Sequence, residues 1–176
     1  MTSLGFQSTA AFATRARSTA ASIERATFVT FSLGGRRFAA PVETVERVLR
    51  WTAVKQACLG RGDSDSTTHV PHAGRDVPFV DLAAHLALVY EPSSMSRVLV
   101  LGMPTGWLAA VVDAVHEIAT VDAASIKLVG RAVADQGKAG REPDGSMPHG
   151  VRGIFMRHGH GTMVIDIARA LGLRFN

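Results

Sequence analysis

The chain has 176 residues, a formal net charge of +4 and one cysteine, Cys58. That length suits one domain or two small lobes with a core that needs no staple, and a lone cysteine excludes an internal disulfide framework and fits a reducing, cytoplasmic setting. No apolar run approaches the ~20 residues that span a bilayer, and the basic residues are too scattered for a nucleic-acid footprint.

Residues 1–26 are rich in Ser, Thr and Ala and carry no acid before Glu24. The composition is that of a transit peptide, yet a disordered tail is the preferred reading, because short polar termini are usually unordered. Residues 27–33 alternate apolar and polar and read as a strand. Gly34-Gly35 accepts the positive φ of a hairpin turn, and residues 36–40 return. Pro41 suits a first helical position, and Val42, Val45, Val48 and Leu49 follow at helical spacing. Glu43 and Glu46 lie toward the positive end of such a helix, Arg47 and Arg50 toward its negative end, so a short helix or helical turn is expected. Residues 51–57 read as a short strand, and residues 58–76, rich in Gly, Ser, Asp, Thr and His, as a loop. Residues 77–80 form a strand, Asp81 opens a helix, and Pro92-Ser93-Ser94 is the seam between a lobe over about 27–92 and another over about 95–175.

The second part repeats the plan. Residues 97–101 and 107–112 are strands about a Pro104/Gly106 turn. Residues 115–121 extend, and Asp122 starts a helical turn. Residues 130–150 are a long polar insert. A hairpin about His158-Gly159-His160-Gly161 follows, and Asp166 opens the last helix. The repeat is visible residue by residue. Val77-Pro78-Phe79-Val80-Asp81-Leu82 returns 85 positions later as Thr162-Met163-Val164-Ile165-Asp166-Ile167, and Phe38-Ala39-Ala40 returns 70 positions later as Leu108-Ala109-Ala110. Two related halves argue for two similar lobes. Many short strands with frequent turns argue for small barrels, not a parallel sheet.

Residues that invite a chemical reading also have a plainer one. Asp81 and Asp166 resemble a carboxylate pair, but Asp is a favoured helix N-cap and duplication explains both positions. His158 and His160, with His149, His69 and His72, raise a metal site, but no CxxC or HExxH spacing is present and a hairpin tip is the simpler reading. Gly34-Gly35 is a turn, not a phosphate cradle. Trp51 and Trp107 are read as packing residues. No cofactor, metal or catalytic residue is assigned.

The same blocks resemble the CheW-like domain family of bacterial chemosensory adaptors. Residues 28–45, Phe28 through Gly34-Gly35 to Val45, look like that family's first hairpin and the segment after it. Val77-Pro78-Phe79-Val80-Asp81-Leu82 looks like its "VPVVDL" block, and Gly153-Ile154 through Ile165-Asp166-Ile167 like its last hairpin and helix. The resemblance implies a mainly β fold of two SH3-like five-stranded barrel lobes with short helices. It also implies a non-enzymatic adaptor joining a histidine kinase's regulatory domain to a chemoreceptor's cytoplasmic tip, the latter near the groove between lobes, with no nucleic acid and no membrane insertion. Val45, Arg47, Ala73 and Gly74 fall at positions that contribute partner contacts in such adaptors. This chain departs there: the family's Asn-Leu-Arg-Gly segment is Pro71-His72-Ala73-Gly74, and Arg47 stands where an acid is common. A divergent interaction module with its own partners, for instance in a pilus-linked sensory system, is the alternative. A small histidine-rich metal protein is the third reading.

Overall fold

The computed structural model describes residues 24–59, 69–129 and 148–173. The tail over 1–23 and most of the polar insert, residues 130–147, lie outside them. Among the described residues there are eleven strands and three short α-helices.

β1 (Arg25–Leu33) and β2 (Arg36–Pro41) form the first hairpin. Its turn is Gly34-Gly35 at φ +57° and +73°, the left-handed pair that matches strand twist in a two-residue hairpin. The helix expected from Pro41 to Leu49 is only a 3-10 turn, Val42–Thr44, followed by β3 (Val45–Arg50). Pairing of β3 with β6 (Arg97–Met103) overrides the apparent helical spacing. A bulge between Val45 and Arg47 turns Val45 toward one core and Leu49 toward another, so their spacing reflects two faces of a strand. The strand expected over 51–57 is instead helix α1 (Trp51–Leu59). Over residues 51–57 Val54 is buried, with Trp51 packed behind it, while Thr52, Ala53, Lys55, Gln56 and Ala57 are exposed. An alternating strand would have placed Lys55 on the face of Trp51.

The loop expected over 58–76 contains a strand, β4 (His69–His72), paired with β5 (Arg75–Val80). Val70 and His72 point inward. A buried histidine hides that alternation from any hydropathy reading. α2 (Leu82–His85) follows, capped as expected by Asp81, whose Oδ1 accepts from the Ala84 amide at 2.9 Å. β7 (Gly106–Val112), β8 (Ala114–Asp122), β9 (Lys127–Leu128), β10 (Val151–Arg157) and β11 (His160–Ile165) complete the strands. Asp166 Oδ1 caps α3 (Ile167–Ala170) by accepting from the Arg169 amide at 3.1 Å.

The strands assemble in two sheets, β8-β1-β2-β11-β10-β9 and β3-β6-β7-β5-β4. Neither sheet coincides with residues 27–92 or 95–175. Each half gives its opening hairpin to one sheet and its closing hairpin to the other. The joins are parallel pairs, Val164 beside Ala39 and Phe79 beside Ala109. These are the same pair under the two repeat offsets, since Phe79 maps to Val164 and Ala39 to Ala109.

The chain is mainly β, as expected, in two curled lobes. β8 and β10 are separated by three strands in sheet order, yet Glu117 and Arg157 meet at 3.1 Å. That sheet therefore bends around its interior, which holds Phe28, Ala39, Phe155 and Val164. In the other lobe α1 contacts both edge strands, β3 and β4, over a core of Val54, Val70, Val77, Val98, Val100 and Ala109. The largest core lies between the sheets, where Phe31, Phe38, Leu99 and Leu101 meet Leu82 and Leu86 of the α2 region and Ile167 of α3. β6 is thus covered on both faces, and Val98, Leu99, Val100 and Leu101 are each 0% exposed, which explains a run without alternation.

Candidate partner-binding surfaces

The four residues singled out in the sequence lie on the five-stranded lobe, at its two edges. Val45 and Arg47 are on edge strand β3; Ala73 and Gly74 form the turn between β4 and β5. Val45 is half-buried and packs on the central core, so it braces the strand. Arg47 sits just past the bulge and is exposed, and among the described residues it makes no ion pair. Val48, beside it, is 41% exposed.

Ala73 and Gly74 have φ of +48° and +75°. A non-glycine residue in that region costs roughly 1 kcal/mol or more, so the turn holds Ala73 against its own preference. Behind the turn lies an aromatic contact not expected above. The His72 ring, 8% exposed, stands edge-on to Trp107 at 4.9 Å between centroids. The Arg75 guanidinium lies 5.7 Å from the Trp107 ring centre, a cation–π distance. Beside them is a cleft of about 490 Å³ walled by Arg75, Pro78, Thr105, Trp107 and Leu108. The signal was available: a two-residue hairpin loop at Ala73-Gly74 puts residues 72 and 75 side by side.

On the six-stranded lobe, Glu117 of β8 receives two hydrogen bonds from Arg157, Nε to Oε1 at 3.1 Å and Nη2 to Oε2 at 3.3 Å. His158 Nε2 lies 3.2 Å from the same Oε1. The hydrogen bonds from Arg157 hold the Glu117 carboxyl below its ordinary range, and the charges of Arg157 and His158 act in the same direction. His158 therefore belongs to a polar clasp at the hairpin tip. Among the described residues, no three His, Cys, Asp or Glu side chains converge as metal ligands.

Between the sheets opens a groove of about 530 Å³. Its walls are largely apolar, with Phe28 and Pro41 on one side, Met103 and Pro104 at the β6–β7 turn, and Val164 and Ile167 at the start of α3. Arg152 and Asp166, which also line the groove, form an ion pair at 3.2 Å. Leu128, also on the wall, is 79% exposed. Edge strands and apolar grooves are features on which protein partners can dock. Asp81 and Asp166 are both engaged as helix caps. No described helix is long and apolar enough to cross a membrane.

The family model for the CheW-like domain matches residues 27–142, more than half of the chain. No curated protein sequence matches it. Among solved structures, the crystal structure of the scaffolding protein TtCheW from Thermoanaerobacter tengcongensis is similar, with a TM-score of 0.58 at 18% identity over 81% of this chain and 90% of that one. At that identity the likeness is one of fold.

Proposed function

The chain belongs to the CheW-like domain family, a family of chemotaxis-type scaffold proteins and not of enzymes, and on that premise we propose that it is a cytoplasmic adaptor coupling chemoreceptors to a histidine kinase. The observation that carries this reading is the architecture itself. Two lobes, each built from hairpins of both halves of the chain, pack on one shared core, so a displacement of one lobe reaches the other through that core. Close-packed interiors transmit such displacement instead of absorbing it.

The kinase's regulatory domain would take the five-stranded lobe at Arg47 and the Ala73-Gly74 turn, with Val45 bracing the strand beneath. The receptor tip would lie in the apolar groove, where a helical segment can bury its side chains against Phe28, Met103 and Ile167. The adaptor does no chemistry in this scheme; it fixes the geometry of two partners held at once. Pull-down of the folded chain with the cognate kinase regulatory domain and with a receptor tip tests it. Capture of both is expected, and capture of neither would sink it.

A second reading is supported by Ala73. A methyl group at a tight turn offers a partner little, and loss of an arginine at an interface can remove a dominant contact. The fold would then serve different partners. Replacing Pro71→Asn, His72→Leu and Ala73→Arg together separates the two. On the first reading the change alters kinase binding little; on the second it creates binding that the wild type lacks.

A further inference from the structure

The two lobes share one device, and only one lobe completes it. The offsets of 70 and 85 align more than the buried pairs. In the six-stranded lobe, β8 bulges so that Val29 and Phe31 face Ile118 and Val115. In the five-stranded lobe, β3 bulges so that Leu99 and Leu101 face Val48 and Val45, the same residues under the 70-position offset. The closing hairpins also match: Ala73 and Gly74 turn at φ +48° and +75°, His158 and Gly159 at +49° and +77°. Arg47 thus occupies the place of Glu117, His72 that of Arg157, and Ala73 that of His158.

At Glu117 the bulge aims a carboxylate at the hairpin tip, where Arg157 and His158 meet it and tie β8 to β10. The same three places in the other lobe hold a cation, a ring packed on Trp107, and a methyl group. Arg47 therefore stands at a position equivalent to one that holds a charge pair, and among the described residues no acid pairs with it. On the other face of β3, Arg50 and Arg97 are direct cross-strand neighbours, and the Arg97 guanidinium donates to the Met95 and Ser96 carbonyl oxygens. Lys55 is exposed on α1, and Glu46 is the acid on the strand. Val48, 41% exposed, lies with Arg50 on that other face of the edge strand.

We propose that the β3 edge docks an acidic protein surface that presents a carboxylate to Arg47, supplying from outside the pair that the six-stranded lobe makes within itself. This rests on the adaptor reading and names the chemistry its partner must carry. A protein fits better than a nucleic acid, because Glu46 and Val48 interrupt the cations where a phosphate backbone would want them clustered.

The test is titration of the full chain, at low and moderate salt, with the cognate kinase regulatory domain. Arg47→Glu should weaken binding at least about tenfold, since like charges across an interface repel. Arg47→Lys should stay within a few-fold of wild type, and wild-type affinity should fall as salt rises. The double variant Arg47→Glu with Ala73→Arg rebuilds the internal pair, and should melt higher than Arg47→Glu alone without regaining affinity. Unchanged or tighter binding by folded Arg47→Glu overturns the proposal and leaves the adaptor reading standing. Wild type that ignores the kinase domain overturns both. Tighter binding to duplex DNA than to the kinase domain also overturns it.

Discussion

Glu117 shows how one residue's environment decides whether a charge is structural. Its carboxyl is held below the ordinary value of 4.5 by the hydrogen bonds from Arg157. A carboxyl depressed on folding stabilises the fold above its unfolded value and ceases to do so as pH falls through the folded one. Glu117→Gln should therefore melt below wild type at neutral pH, with the gap closing below about pH 4.5, as followed by thermal melts across an acid series. Equal gaps at every pH would mean that packing, not charge, carries the contribution. Asp81 and Asp166 were legible as caps because the need is local: a carboxylate three residues ahead of an amide on one short turn. The Glu117 clasp was not, because its partners lie 40 and 41 residues along the chain. Only barrel closure brings them together.

Elements whose pattern answered to a single neighbour were readable, and those answering to two were not. The hairpin of β1 and β2 announced itself through Gly34-Gly35. β3 did not, since its bulge moves Val45 and Leu49 to different cores. α1 stands where residues 51–57 read as a strand, and its pattern is weak for either element. Over residues 51–57 its buried face rests on Val54, and this can be measured. Val54→Ala should cost roughly 2 kcal/mol from lost methyl burial and the cavity left. Ala57→Ser, on the exposed side, should change stability by less than about 0.5 kcal/mol. The reverse order in chemical denaturation would favour the strand. β4 escaped notice because Val70 and His72 are its inward pair, and a histidine packed against Trp107 is polar by composition and apolar in use.

For the whole molecule, the repeat disclosed duplication but not exchange. Val77 through Leu82 and Thr162 through Ile167 share a pattern because both close a sheet. Nothing local says that each closes the sheet opened by the other half. The register does, through the equivalent pairs Ala39–Val164 and Ala109–Phe79. A chain cut at Pro92 should therefore yield two fragments that are each unfolded by circular dichroism and fold on mixing. Independent folding of either fragment would contradict the exchange. The candidate contact surfaces are less legible than the fold: the family resemblance marks Arg47 and the Ala73-Gly74 turn, while the groove and the Trp107 cleft exist only once distant strands assemble.

The adaptor proposed above would hold two partners together, so the decisive measurement is sedimentation of the full chain with the cognate kinase regulatory domain and a receptor cytoplasmic tip, singly and combined. The account predicts a single species containing all three, since the β3 edge and the inter-sheet groove are separate surfaces. Partners that displace one another, or a folded chain that sediments alone beside both, would contradict it.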